Sequence, residues 1–481
     1  MSNEADLLVP SDNASSYRLY PQRFYVLGVF SLLAFNQCLI WITFSPIARS
    51  VETYYKIDEA TVDLLLNWGP IIFIPCLPLT YILLNKHNGL RRCIILLAVT
   101  DFIATALRVI PSIVTSPSSP HFSAISMPFM YAGQILNAAC GPLAMAPVSQ
   151  LSCLWFGPNQ RTRATTVGIV AHKFGSTIAF LISPAIVTVP EHIPRLLYVH
   201  LCLAFVACVL TLVYFPAQPP TPPSHAAEFL MLRRTSEESN SSWRTSMKNV
   251  WRCMTTPSYV LLSTAGGLVG GAFGAWTSLF DVILKPENYT EQQSGWFGFG
   301  ALVSCIVGLL CMGALADTHY FLRRRKILVV LSFIGCFIAV FWFELSVHTV
   351  FYEKPILHST TVTIGLSVAV AGLFQGAVLP LIYEAIAEIM FPLPESLSAS
   401  ILLQWLNVTV LILLFIAPNR EKLINLLVLI AHGTCIIMSC IARFTYTRRD
   451  EDEKKQYQKE DEPLLNYDSM NTCGNETIDQ P

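Results

Sequence analysis

Apolar residues fall along this chain in long blocks separated by short polar turns. A bilayer core about 30 Å thick is crossed by roughly 20 residues of helix. That ruler finds twelve blocks of suitable length, at 24–47, 61–84, 93–114, 127–152, 165–189, 195–215, 257–283, 294–316, 326–348, 360–384, 396–417 and 422–443. Several contain Pro or Gly, which membrane helices tolerate better than soluble ones do. The first block follows a polar segment, holds Asn36 and Gln37 and lacks a small-residue cleavage site, so it is expected to be a first span and not a secretory signal. The pattern predicts an all-α membrane protein of twelve transmembrane helices.

The blocks also repeat. Leu90-Arg91-Arg92-Cys93-Ile94-Ile95-Leu96 recurs as Leu322-Arg323-Arg324-Arg325-Lys326-Ile327-Leu328, each opening the third block of its half. Six blocks, a long polar linker and six more blocks describe two parallel six-helix pseudo-repeats about an axis normal to the membrane. The expected organisation is an N-terminal tail (1–23), a six-helix bundle (24–215), a linker (216–256), a second bundle (257–443) and a tail (444–481). Lys and Arg set the orientation. The turns on the linker side, with the linker, hold fourteen, among them Lys86, Arg91, Arg161, Arg233 and Arg324, against seven in the opposite turns. Both termini are therefore expected in the cytoplasm. The sequon Asn288-Tyr289-Thr290 then falls in a non-cytoplasmic turn, where glycosylation of Asn288 is possible. The linker opens on a Pro-rich stretch, 216–223, and becomes Ser-rich and charged; a solvated spacer explains it, with Arg233-Arg234-Thr235-Ser236 as a kinase-like pattern inside it.

Composition sharpens the class. Charged residues make up only 13% of the 481, against roughly 25% in soluble domains. With 31 basic and 32 acidic residues, the basic excess that nucleic-acid binding needs is missing. No phosphate loop, zinc spacing or nucleophile elbow occurs, so neither an enzyme nor a cofactor is expected. The 14 cysteines avoid the non-cytoplasmic turns, and no disulfide framework is implied.

An ionisable group at membrane depth costs at least ~2.5–3.5 kcal/mol on insertion scales, so each one requires a reason. In the first block Gln37 and Trp41 stand four apart on one helix face, with Asn36 adjacent; an aromatic wall and an amide suit a planar ring or an organic cation, and interfacial anchoring is the simpler alternative. His172 and Lys173 lie in the fifth block, where His172 is a candidate proton carrier or a packing histidine. Glu384 and Glu388 share a face at the end of the tenth block. They suit proton coupling, since two carboxylates in low dielectric disfavour double ionisation, or they brace the basic turn Arg323–Lys326. Asp281, ending the seventh block, is a further coupling candidate. Asp101 and Arg108 are about 10.5 Å apart along one helix, too far to bond, so each is expected to brace a neighbouring span. Gln134 with Asn137, Gln375, and Gln404 with Asn407 are candidates for cavity contacts or interhelical bonds.

Gly313-Ala314-Leu315-Ala316-Asp317 followed by Arg323-Arg324-Arg325 resembles the loop signature of the major facilitator superfamily; the first half has Asn85 at the acidic position. Asn67-Trp68-Gly69-Pro70-Ile71, Leu107-Arg108-Val109-Ile110-Pro111, Gly274-Ala275-Trp276-Thr277-Ser278-Leu279-Phe280-Asp281, Gly295-Trp296-Phe297-Gly298-Phe299 and Leu379-Pro380-Leu381-Ile382-Tyr383-Glu384 are similar to words of solute carrier family 49, over about 24–443. The resemblance implies that spans one, four, seven and ten line a cavity. It implies a carrier that exports a small metabolite from lysosomes on a proton gradient, pyridoxine being the favoured substrate. It also sets Trp41 where choline-carrying relatives use a tryptophan for cation binding, and Lys173 where they have a glutamine. The tail adds an acidic dileucine pattern, Glu460 to Leu464-Leu465, and a tyrosine pattern, Tyr467 to Met470, which clathrin adaptor complexes could read. The rival expectations are facilitated choline, ethanolamine or haem-related transport at the plasma membrane, and a transport-silent nutrient sensor.

Overall fold

The computed structural model describes residues 18–84, 86–223, 227–228, 231, 243–316, 318, 321, 324–352, 355–390, 393, 395–418 and 420–445. Twelve long helices run through them, here called spans one to twelve: Gln22–Trp41, Glu59–Leu84, Gly89–Val114, Phe122–Met145, Pro158–Ile186, Ile193–Val213, Pro257–Ser278, Glu291–Ala316, Arg325–Leu345, Thr361–Met390, Glu395–Ile416 and Glu421–Ile441. Among the described residues, eleven helical stretches are long and apolar enough to cross a membrane. Span four, diluted by Gln134, Asn137 and many small residues, falls below that mark although it has 24 residues.

The chain divides into two compact units, Met1–Ser241 and Ser242–Pro481. Within the first, span one packs on span five, span four on spans two and three, and span three on span six. The second repeats each pairing six spans later: seven on eleven, ten on eight and nine, and nine on twelve. The repeat visible in the two basic turns is thus a repeat of packing. Each unit has an apolar core that continues from its long helices into its basic turns. Phe30, Leu90, Leu97, Leu151 and Trp155 fill one, and Tyr259, Leu262, Phe333, Ile382 and Leu402 the other.

Three of the expected spans are not single helices. Span one was expected to run to 47 but ends at Trp41; a turn, a 3₁₀ helix at Ser45–Ile47 and a short helix at Ala48–Tyr55 follow. Pro46 explains the break, because its ring excludes the carbonyl four residues back and it has no N–H to donate. Span four was expected to reach 152 but stops at Met145, and Pro147 caps a separate helix, Val148–Trp155. Span seven breaks without a proline, between Ser278 and the short helix Phe280–Leu284. There Thr277 donates back to Phe273 O at 2.9 Å and Ser278 to Ala275 O at 2.8 Å, side-chain bonds that compete with the backbone ladder and bend helices. Span ten, in contrast, runs six residues past its expected end.

Spans eight and ten approach backbone to backbone. A Cβ on Gly376 would lie 1.8 Å from Cys305 O, one on Gly372 2.1 Å from Ala301 O, and one on Gly308 1.9 Å from Leu373 O. Gly372 and Gly376 form the small-xxx-small spacing that lets membrane helices pack this closely. A Gly376→Val change should therefore wedge the pair apart and cost about 1–3 kcal/mol. The check is a lowered midpoint of thermal unfolding in detergent, with Gly300→Ala, which meets no heavy atom within 4 Å, leaving it unchanged.

Candidate functional site

A helix that ends inside a packed protein interior leaves its last carbonyls without partners, and each buried orphan is costly. Span one ends in this way, and its neighbours supply the donors. Arg108 Nη1 on span three donates to Ile40 O at 2.9 Å. On span four, Gln134 Nε2 donates to Trp41 O at 3.0 Å and Asn137 Nδ2 to Gln37 O at 3.3 Å. Thr43 Oγ1 closes the turn from below, donating to Ile40 O at 2.8 Å. A guanidinium suits this place twice, because the C-terminus of a helix is its negative pole and because Phe44 lies under the charge, 5.2 Å from ring centre to Cζ.

The same amides form a chain of bonds across four spans. Asn137 Nδ2 also donates to Asp101 Oδ1 at 2.8 Å, and Gln37 Nε2 returns a bond to Asn137 O at 3.3 Å. Gln37 Oε1 then accepts from His172 Nε2 at 3.2 Å, a contact that requires the ring proton on that nitrogen. Asp101, Asn137, Gln37 and His172 thus tie spans three, four, one and five together. Asp101 and Arg108 serve different neighbours, span four and span one. Asn36 leaves this group and donates to Leu203 O on span six at 3.1 Å. Asn36, Gln37, Gln134 and Asn137 are all buried, with donors spent on backbone or network oxygens. Trp41, His172 and Lys173 keep partial exposure.

Trp41 is fixed at the nitrogen-bearing edge of its ring. Its Nε1 donates to Leu66 O on span two at 3.3 Å, and Gly69, one turn further, leaves the space that the indole fills; a Cβ there would sit 2.1 Å from Nε1. Nothing in the pattern of apolar positions flags Gly69, whose role exists only once spans one and two are side by side.

In the second unit the groups stand apart. Glu384 reaches Arg325 at 3.0 Å with about half of its side chain exposed, whereas Glu388, one turn on, is buried. The two carboxylates that share a face in sequence therefore have different surroundings. Asp281 is buried in the short helix after span seven, and Gln375 is buried with Oε1 3.9 Å from Cys336 Sγ. Asn407 Nδ2 bonds within its own helix, to Leu403 O at 2.9 Å. Trp276, the counterpart of Trp41 at the break of span seven, bonds Asn425 Oδ1 at 3.1 Å and packs edge-on against Phe280 and Phe343, each 4.8 Å away between centroids. One unit closes its broken helix with amides and charge, the other with aromatic rings. Asn288 adopts a left-handed conformation at the turn before span eight, and Arg324 is exposed. Asn85, Asp317, Arg323 and the tail residues Glu460, Leu464, Leu465, Tyr467 and Met470 lie outside the described residues.

Among the described residues, four buried acidic or histidine side chains escaped the sequence reading: Asp63, His200, Glu344 and His432. All lie in the apolar blocks, so the insertion-cost argument that singled out Asp101 applies to them equally. His200 Nδ1 faces Thr43 Oγ1 at 3.4 Å, behind the break of span one. His432 Nδ1 donates to Val428 O at 2.7 Å within its own helix. Among the described residues, no three His, Cys, Asp or Glu side chains converge as a metal site would need.

Comparison with known proteins accords with this architecture. The Major Facilitator Superfamily matches residues 29–404. A Xenopus laevis protein described as solute carrier family 49 member 4 homolog is 29% identical, over 90% of this chain and 92% of its own length. The Felis catus choline/ethanolamine transporter FLVCR1 is 27% identical over 80% of this chain and 65% of its own length. In three dimensions the chain resembles a D-xylose-proton symporter with a TM-score of 0.63 at 14% identity, covering 88% of this chain and 98% of that one, which bears on the fold alone. The chain belongs to the major facilitator superfamily and is a membrane transporter of the solute carrier family 49 kind.

Proposed function

We propose that this transporter is a proton-driven secondary carrier that exports a small, ring-bearing metabolite from lysosomes, with pyridoxine as the favoured substrate. The observation that supports it most is the bonded chain from Asp101 through Asn137 and Gln37 to His172. Both ends are titratable, and the middle grips the helix end that carries Trp41. A proton arriving on Asp101 would replace a charge-assisted bond to Asn137 by a weaker neutral one, loosening that grip. Trp41 would offer its face to the substrate ring, held from behind by Leu66 O and Gly69. His172 and Lys173, partly exposed on span five, would set the charge nearby. In the second unit Asp281 and Glu388 are the coupling candidates, while Glu384, paired with Arg325, braces the basic turn. Both termini face the cytoplasm in this reading, Asn288 is a glycosylation site in the lumen, and adaptors read the tail.

The runner-up is facilitated choline or ethanolamine transport at the plasma membrane, favoured by the printed activity of the FLVCR1 relative. Lys173 counts against it, since a fixed ammonium repels a quaternary ammonium ligand. Leu464→Ala with Leu465→Ala should move the protein to the cell surface, where uptake of labelled pyridoxine and choline is measured at acid and neutral pH. Pyridoxine uptake stimulated by acid is the expected result; choline uptake indifferent to pH would overturn the proposal, and uptake of neither would point to a sensor.

In the same assay, acid stimulation is expected to disappear in His172→Gln and Asp281→Asn and to persist in Glu384→Gln. Loss in Glu384→Gln alone would move the coupling site to the pair of Glu384 with Arg325. Gly69→Ala should push the indole out of its seat and raise KM roughly five- to tenfold, the scale of one aromatic contact of about 1 kcal/mol, with surface expression unchanged. An unaltered KM would remove Trp41 from the substrate site.

A further inference from the structure

The helix Trp243–Thr255 has no part in the transport reading. It ends one residue before span seven begins at Pro257, so it lies where the chain meets the membrane surface. Its C-terminal end is well fixed. Cys253 is buried in the core with Tyr259 and Leu262, and Thr255 and Thr256 donate to Trp251 O and Arg252 O at 3.0 and 2.9 Å. Docked through Cys253, the helix turns its other side outward: Trp251 is 71% exposed and Met254 41%. Lys248 and Arg252, one turn apart, are exposed beside them, and in sequence Arg244 continues the same spacing. A large indole left in water is a loss, whereas at the boundary between headgroups and acyl chains its ring is buried and its N–H is wet. Basic side chains flanking it meet phosphate there.

We propose that this helix is an interfacial anchor for anionic phospholipid, with Trp251 and Met254 entering the boundary layer and Lys248 and Arg252 engaging lipid phosphates. Basic amphipathic helices also suit acidic soluble proteins. Direct continuity with span seven favours the bilayer, since it holds the helix at the lipid surface in every state. The proposal is independent of what the carrier moves.

Hydrogen exchange of the full-length protein in nanodiscs tests it, comparing phosphatidylcholine alone with a mixture one-third phosphatidylserine. Amides of 248–255 should exchange roughly tenfold more slowly in the charged discs. K248Q with R252Q should make the two discs alike, and W251S should raise exchange in both. Unchanged exchange in span seven and an unchanged unfolding midpoint confirm that the variants fold. Equal exchange of the wild type in both discs overturns the proposal, as does protection that arises only on adding calcium-loaded calmodulin as an acidic soluble partner.

Discussion

A helix may stop inside a packed interior only if other groups donate to the carbonyls it leaves behind. Span one stops at Trp41, and much of the first unit is arranged around that stop. Arg108, Gln134 and Asn137 approach from two other spans to donate to Ile40, Trp41 and Gln37; Asn137 Nδ2 also donates to Asp101, and the Gln37 side chain in turn accepts from His172. A proline five residues beyond the tryptophan therefore accounts for a buried arginine and a set of amides that an apolar core would otherwise exclude. The position of Trp41 follows from the same cause, because its carbonyl and its indole N–H are both taken.

The second unit meets the same demand by another route. Span seven also breaks just after a tryptophan, yet hydroxyls bond back within the helix and aromatic rings fill the space around the break. The two units share their pairing of spans while their interiors differ in chemistry. A titratable network lies in one and an aromatic cluster in the other, so the repeat that builds the fold leaves room for the halves to divide the work.

Much of the architecture was legible in the sequence because the bilayer reduces the problem to counting. Twelve blocks, a recurring basic turn and a long linker are one-dimensional features. The breaks at Trp41 and Met145 were less visible, since prolines inside membrane helices are often tolerated; span two keeps Pro70, Pro75 and Pro78 within one helix. Pairs on a single helix, such as Gln37 with Trp41, could be read from spacing. Bonds between helices could not, which is why Gln134 and Asn137 carried no more weight than Gln375 until span one lay beside them. Glu384 and Glu388 show the limit of spacing alone, since one turn of helix separates a half-exposed carboxylate paired with Arg325 from a buried carboxyl.

The contact between spans eight and ten bears on motion. With three glycines bringing carbonyl oxygens of the partner helix into the space where side chains would begin, neither helix can slide or rotate past the other without backbone colliding with backbone. The two are in effect one stiff rod. Any change of shape within the second unit must pass around that rod, through the broken end of span seven and the helices that flank it.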